Sequence, residues 1–85
     1  MNKLFSEIAF ADYLYWQSQD RKTLSKINRL LQSIDRDGAL NGEGKPEKLK
    51  HREGEYSRRI DEANRLIYKI EGNNILIKSC RGHYE

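Results

Sequence analysis

The stretch GEYSRRIDEANRLIYKIEGNNILIKSCRGHYE, residues 54–85, decides the fold of this chain. It contains three runs rich in aliphatic, aromatic and β-branched residues, separated by two short polar segments. We therefore predict three successive strands joined by tight turns, which together form an antiparallel β-meander. The predicted strands are Tyr56–Asp61, Arg65–Ile70 and Ile75–Arg81, and the predicted turns are Asp61–Asn64 and Glu71–Asn74.

The second of these strands has two chemically different faces. Because side chains alternate along a strand, one face can be wholly apolar while the other presents cations. The apolar face carries Leu66, Tyr68 and Ile70, and the other carries Arg65, Ile67 and Lys69. The third strand then brings Arg81, His83 and Tyr84 to the end of the chain. We interpret the sheet as a platform with a core on one side and an anion-binding surface on the other.

The first half of the chain is predicted to form two helices that pack on the apolar face of the sheet. Ser6 and Asp20 are suitable N-caps for two successive helices, Gly38 ends the second, and Asn2–Phe5 is a candidate edge strand. Apolar side chains recur at helical spacing and are interpreted as core: Ala9, Phe10, Tyr13, Leu14 and Trp16 in the first helix, Leu24, Ile27, Leu31 and Ile34 in the second. We expect one α+β domain, residues 1–85, in which a two-helix hairpin packs on a small antiparallel sheet.

The composition indicates a folded protein with a basic second half. The chain has 85 residues, of which 36% are hydrophobic and 34% charged, and a formal net charge of +3. A domain of this size has too small a core for a deep cofactor cavity, so we expect no cofactor. Its single cysteine, Cys80, is interpreted as a buried small hydrophobe. The start MNKLFSEIAF has no apolar run long enough for a signal peptide or membrane span, which favours a cytoplasmic protein without membrane contact.

Residues 41–51, NGEGKPEKLKH, are predicted to be a loop because glycines and a proline interrupt any regular pattern. The glycine spacing matches neither a P-loop nor a dinucleotide-binding fingerprint. Glu47 stands out as a lone acid among Lys45, Lys48 and Lys50. It is either one solvated charge in a basic loop or a carboxylate kept ionised as a proton acceptor beside phosphate-binding groups. The local spacing does not decide between these two interpretations.

Other chemistries find little support in the sequence. The two histidines and one cysteine lack zinc-site spacing, and no carboxylate pair is placed for a divalent metal, so we predict no metal site. Hydrolysis by a serine triad is also disfavoured, because no nucleophile-elbow motif is present. One acid, a late histidine, several arginines and a tyrosine remain. That set suits metal-independent RNA cleavage, in which a base takes the 2′-OH proton, an acid protonates the leaving 5′-oxygen and cations stabilise the phosphate.

Six pieces of the sequence, in order and nearly end to end, carry a family resemblance. They are DYLYWQ (12–17), KIN (26–28), GKPEKLKH (44–51), YSRRI (56–60), RLIY (65–68) and CRGHY (80–84). Together they resemble the YoeB-type toxins of bacterial toxin–antitoxin modules, within the RelE superfamily. The resemblance implies a microbial-RNase-like fold and an mRNA endoribonuclease that acts in the ribosomal A site. It also implies that a cognate YefM-type antitoxin neutralises the protein. Whether the chain forms a homodimer stays open.

The resemblance further implies roles for single residues. By position, Glu47 resembles the general base, His83 the general acid and Arg65 the residue that stabilises the scissile phosphate. Tyr84 resembles the tyrosine that positions the substrate. Two cations resemble those that hold RNA or phosphate, namely Lys50 and Arg59.

Several alternatives stay open at this point. Arg58 alternates in facing with Arg59, so a structural or solvated contact is favoured over a catalytic one. His51 is treated as loop structure, and Arg81 could order the C-terminus or bind ribosomal RNA. A noncatalytic basic module that binds RNA or ribosomes is the main competing function. A third hypothesis is a protein-interaction partner whose basic face docks an acidic segment.

Overall fold

The computed structural model describes residues 1–82, which form two helices and a five-stranded sheet. In chain order the elements are β1 (Asn2–Phe5), α1 (Glu7–Gln19), α2 (Arg21–Asp37), β2 (Glu47–Lys48), β3 (Glu55–Arg59), β4 (Arg65–Glu71) and β5 (Asn74–Ser79). The predicted α+β architecture, a helical hairpin on a sheet, is confirmed. Within residues 1–82, neither helix has the length and apolar content that crossing a membrane requires.

The helical hairpin is fixed by its two caps. The Ser6 hydroxyl accepts a hydrogen bond from the Ala9 N–H at 3.0 Å and donates one to the carbonyl of Lys78, so it ties the start of α1 to β5. Asp20 is the only residue between the helices: its N–H donates to the Trp16 carbonyl, and its carboxylate accepts from the N–H groups of Lys22 and Thr23. The Thr23 hydrogen bonds are the main reason that the pKa of Asp20 is lowered. Both N-caps predicted from the sequence are confirmed.

The strand order is β1-β5-β4-β3-β2, and the meander β3-β4-β5 is antiparallel as predicted. The sheet as a whole is mixed, because β1 runs parallel to β5, with Lys3 opposite Ile75 and Phe5 opposite Ile77. Parallel strands need a long connection, and here the two helices and the strands β2, β3 and β4 lie between β1 and β5 in the chain. The N-terminal strand therefore completes one edge of the sheet.

Two strand ends of the meander come two residues earlier than the sequence predicts, and three other boundaries shift by one residue. The first strand ends at Arg59 because the N–H groups of Ile60 and Asp61 bond to the Asn64 carbonyl and so begin the turn. The third strand ends at Ser79, and a bulge leaves Lys78 without a partner on β4. A bulge bends its strand and changes the direction of the residues next to it.

The core lies between the helices and one face of the sheet. Leu66, Tyr68, Ile75 and Ile77 from the sheet pack with Ala9, Trp16, Ile27, Leu30, Leu31 and Ile34 from the helices. Cys80 is fully buried among them, and burial raises the pKa of its thiol to about 12, which confirms it as a small hydrophobe. The α1 stripe is narrower than predicted: Phe10 is 54% exposed and Leu14 45% exposed, because the sheet covers only the side of α1 that carries Ala9 and Trp16.

Candidate functional site

The face of the sheet opposite the helices gathers three of the predicted site residues. Residues directly opposite each other on antiparallel strands point to the same side. Glu47 lies opposite Ser57, which lies opposite Ile67, and Arg59 lies opposite Arg65 in the next row on that side. Glu47, Arg59 and Arg65 therefore share this surface, which we call the open face.

The spacing of these residues suits a substrate that lies between them. Strands are separated by about 4.8 Å and residues on one face by about 6.7 Å along a strand, which places the Cα atoms of Glu47 and Arg65 about 12 Å apart. Arg59 lies between them on the middle strand. An acid at one end, an arginine at the other and a second arginine between them can approach one phosphodiester from different sides.

Arg65 is half-buried and held by the turn that precedes it. Its Nη1 donates to the carbonyl of Asp61 at 2.7 Å and to that of Asn64 at 3.1 Å. Within residues 1–82, its Nε and Nη2 have no hydrogen-bond acceptor. These N–H groups form a fork of the kind that binds an anionic oxygen, on a guanidinium whose position is already fixed.

Glu47 lies in a short strand, which corrects the sequence prediction that residues 41–51 are a loop throughout. The two residues of β2 pair with β3, and the chain is held on both sides: Arg59 N–H donates to the Gly44 carbonyl, and Leu49 N–H donates to the Glu55 carbonyl. The pleat turns Lys48 to the other side of the sheet. The Glu47 carboxylate is exposed and makes no ion pair with any other residue in 1–82.

The open face is not purely polar. Ile67 is 1% exposed, although the sequence placed it among the outward cations of the second strand. Ser57 and Leu49 are also buried, at 2% and 6% exposure. The open face thus has a small apolar floor, with the charged residues around it.

Arg58 points the opposite way from Arg59 and is fully buried. The sequence favoured a structural or solvated contact for Arg58 over a catalytic one, and the contact that the structure shows is structural. Its five N–H groups donate to the Tyr68 hydroxyl, the Ser33 hydroxyl and the carbonyls of Gly38, Asn41 and Glu43, at 2.6 to 2.9 Å. Strand alternation gave its direction, but no sequence signal indicated this set of acceptors.

The described chain ends beside Arg65. The Arg65 N–H donates to the Gly82 carbonyl at 3.0 Å, and the Gly82 N–H donates to the Asn64 side chain at 2.7 Å. The Arg81 guanidinium lies 3.5 Å from the centre of the Tyr15 ring, a cation–π contact that holds this segment on α1. His83 and Tyr84, the predicted acid and substrate-positioning tyrosine, lie outside the described residues.

Lys50 and His51 lie in the turn after β2, and both are exposed. Lys50 follows Glu47 by three residues and lies beyond the end of the β2–β3 pairing. Among residues 1–82 no group of three histidine, cysteine or acidic side chains is placed to hold a metal ion.

Comparison with known proteins identifies the family. The model of the YoeB-like toxins of bacterial type II toxin–antitoxin systems matches residues 5–84. This chain belongs to the YoeB family. It is 45% identical to Toxin YoeB of Escherichia coli K12, covering 99% of this chain and 100% of that protein. It is also 45% identical to Toxin YoeB of Synechocystis, covering 100% of this chain and 99% of that protein.

Solved YoeB structures share the whole fold. The YoeB dimer from Staphylococcus aureus is 55% identical and superimposes with a TM-score of 0.94, covering 99% of this chain and 98% of that one. A heterotetrameric YoeB–YefM complex from the same organism gives 0.92 at 55% identity, covering 99% and 98% of the two chains. A YoeB/ParE toxin from Agrobacterium tumefaciens gives 0.94 at 34% identity, covering 99% and 100%.

We expect Gly44→Ala to destabilise the protein more than Gly38→Ala. Both glycines have a φ of 91°, which strains any other residue, but a Cβ at Gly44 would lie 2.7 Å from Leu30 Cδ2, whereas nothing lies within 4 Å at Gly38. Strained φ angles and core overpacking each cost about 1–3 kcal/mol. Denaturant unfolding of the two variants should therefore differ by about the overpacking cost. Equal losses would show that Leu30 moves aside freely.

Proposed function

We propose that this chain is a toxin that cleaves mRNA in the ribosomal A site and so inhibits translation. Membership of the YoeB family gives the toxin–antitoxin context. The observation that carries the ribonuclease proposal is the open face, where the register of β2, β3 and β4 gathers Glu47, Arg59 and Arg65. Gly82, which precedes His83 in the chain, is hydrogen-bonded to Arg65 at the edge of that face.

The proposed reaction is an attack by the RNA on its own backbone. Glu47 takes the proton of the 2′-OH, the 2′-oxygen bonds to the adjacent phosphorus, and the bond to the 5′-oxygen breaks. His83 donates a proton to that leaving oxygen, so a 2′,3′-cyclic phosphate and a 5′-hydroxyl result. Arg65 stabilises the charge that develops on the phosphate, and Tyr84 positions the substrate. Lys50 and Arg59 hold the flanking RNA through its phosphates.

The partners follow from the same proposal. A relative that is 55% identical forms a dimer, and it also forms a heterotetramer with YefM. We propose that this chain is likewise neutralised by a YefM-type antitoxin and can form a homodimer. An acidic antitoxin segment on the open face would meet Arg59 and Arg65, which are the groups proposed to bind mRNA. The substrate and the ribosome place the activity in the cytoplasm.

Glu47→Gln tests the proposed base. The amide keeps the size of the side chain but accepts no proton, so the single-turnover cleavage rate on programmed ribosomes should fall by roughly two to four decades, with ribosome binding little changed. Glu7→Gln is the matched control, since Glu7 is an exposed acid at the start of α1, away from the open face. Cleavage near the wild-type rate by Glu47→Gln would remove Glu47 from the mechanism.

A 2′-deoxy substitution tests the nucleophile. If the 2′-oxygen attacks, then replacing the nucleotide on the 5′ side of the cut by its deoxy counterpart should abolish cleavage at that site while the message stays bound. Primer extension on the translated message reads the new ends, and an unmodified codon elsewhere in the same message is the internal control. Robust cutting at the deoxy site would require water as the nucleophile and a different set of catalytic residues.

Lys50→Ala tests the phosphate contacts. Each phosphate neutralised by a cation releases counterions, so loss of one contact should weaken binding and reduce the log–log salt slope by about one, with little change in codon choice. Lys22→Ala, an exposed lysine on α2, is the control. An unchanged slope for Lys50→Ala would assign Lys50 to a role other than phosphate binding.

A further inference from the structure

The buried guanidinium of Arg58 has every N–H group used. Nε donates to the Tyr68 hydroxyl, Nη1 to the Ser33 hydroxyl and the Glu43 carbonyl, and Nη2 to the carbonyls of Gly38 and Asn41. Among residues 1–82, no carboxylate lies within ion-pair distance of it. A buried cation whose acceptors are neutral oxygens, most of them backbone carbonyls, fixes the position of the backbone to which those carbonyls belong.

Three of these acceptors belong to one segment, residues 38–46, which connects α2 to β2 and which we call the connecting loop. The other two acceptors of Arg58, the hydroxyls of Tyr68 and Ser33, also bond to the connecting loop. The Tyr68 hydroxyl that accepts from Arg58 donates to the Ala39 carbonyl at 2.6 Å. The Ser33 hydroxyl accepts from the Glu43 N–H at 3.0 Å while it donates to the Asp37 carboxylate. The connecting loop is therefore held on its buried side by the Arg58 guanidinium and by the Tyr68 and Ser33 hydroxyls, to which Arg58 donates.

The connecting loop ends where Glu47 begins its strand. Beyond the last carbonyl that Arg58 binds, Gly44 accepts a hydrogen bond from the Arg59 N–H, and then only Lys45 and Pro46 intervene. The strand that carries Glu47 is two residues long and lies at the edge of the sheet, so its position is set both by the backbone bonds on either side of it and by the course of the connecting loop. The place of Glu47 thus depends on the path of the loop before it.

We propose that Arg58 is a positioning residue for Glu47: it fixes the connecting loop so that the base stands at the right distance from the scissile phosphate. This inference rests on the proposed role of Glu47. Arg58 is 0% exposed and lies on the helix side of β3, so it acts without touching RNA. Displacing a catalytic group by about 1 Å can lower a rate by about 100-fold, even when the altered residue is remote from the reacting atoms.

The test is single-turnover cleavage by Arg58→Lys on saturating programmed ribosomes, well below the melting temperature of the variant. Lysine keeps the charge, but its three donors radiate from one nitrogen, so it cannot reach all five acceptors that the guanidinium binds through three nitrogens. We expect the rate to fall at least tenfold while ribosome affinity changes less than threefold. Ile75→Ala is the matched control, because Ile75 is equally buried but lies on β5, away from the connecting loop. It should lower the melting temperature and leave the rate at saturation unchanged.

A double-mutant cycle separates positioning from a general loss of structure. In a Glu47→Gln background there is no base to position, so Arg58→Lys should cost less than threefold. An equal loss in both backgrounds, a loss no larger than that of Ile75→Ala, or a change confined to affinity would overturn the proposal. If Glu47→Gln alone leaves cleavage intact, the proposed role of Glu47 as the base fails, and the positioning proposal that rests on it is overturned as well. Hydrogen exchange of the connecting-loop amides then still reports whether Arg58 fixes the loop.

A milder variant serves if Arg58→Lys does not fold. Tyr68→Phe removes only the hydroxyl that accepts from Arg58 and donates to Ala39, and it keeps the aromatic ring in the core. We expect a smaller rate loss of about threefold to tenfold, again absent in the Glu47→Gln background. Faster hydrogen exchange at residues 38–44 should accompany it. A wild-type rate together with faster exchange would show that loop order and catalysis are uncoupled, against the proposal.

Discussion

The burial of the Arg58 charge is the constraint on which the rest of the structure depends. Removing a guanidinium from water costs several kcal/mol, and the fold recovers that cost only when every N–H finds an acceptor. Here the acceptors come from α2, from β4 and from three points of the loop between α2 and β2. Helix, sheet and loop must therefore reach their final places together. The charge is also felt at Asp37, whose pKa is lowered first by hydrogen bonds from Arg36 and Ser33 and further by Arg58.

Two neighbouring arginines on β3 show what strand alternation settles and what it leaves open. Their opposite directions follow from the pleat alone, but the pairing that puts Arg59 on the same face as Arg65 needed the register between β3 and β4. The partners of Arg58 could not be predicted, because they are carbonyls of an irregular segment whose path depends on tertiary packing. The same reason explains why β2 was missed: two residues have no periodicity, and their pairing with Ser57 and Tyr56 exists only once the loop is in place.

The helices and the meander were predictable because their signals are local. Ser6 and Asp20 cap at the positions expected of them, and the polar turns fall between the strands as expected. Phe10 and Leu14 were assigned to the core because helical spacing gives the width of an apolar stripe but not the extent of the sheet that covers it. In the candidate site, family resemblance gave the proposed roles, whereas the surface shared by Glu47, Arg59 and Arg65 needed the strand register of the structure. The anchoring of Arg65 by the carbonyls of Asp61 and Asn64 needed the three-dimensional turn.

The parallel pairing of β1 with β5 has a consequence for how the protein is made. Residues 2–5 are synthesised before their partner strand, residues 74–77, so this edge of the sheet cannot form until both segments are present. A contact of such long sequence separation closes late in folding. Two further hydrogen bonds, from the Gly82 N–H to the Asn64 side chain and from the Arg65 N–H to the Gly82 carbonyl, likewise form only after Gly82 has been added. A nascent copy therefore cannot complete this edge of its sheet until residues 74–77 have been synthesised.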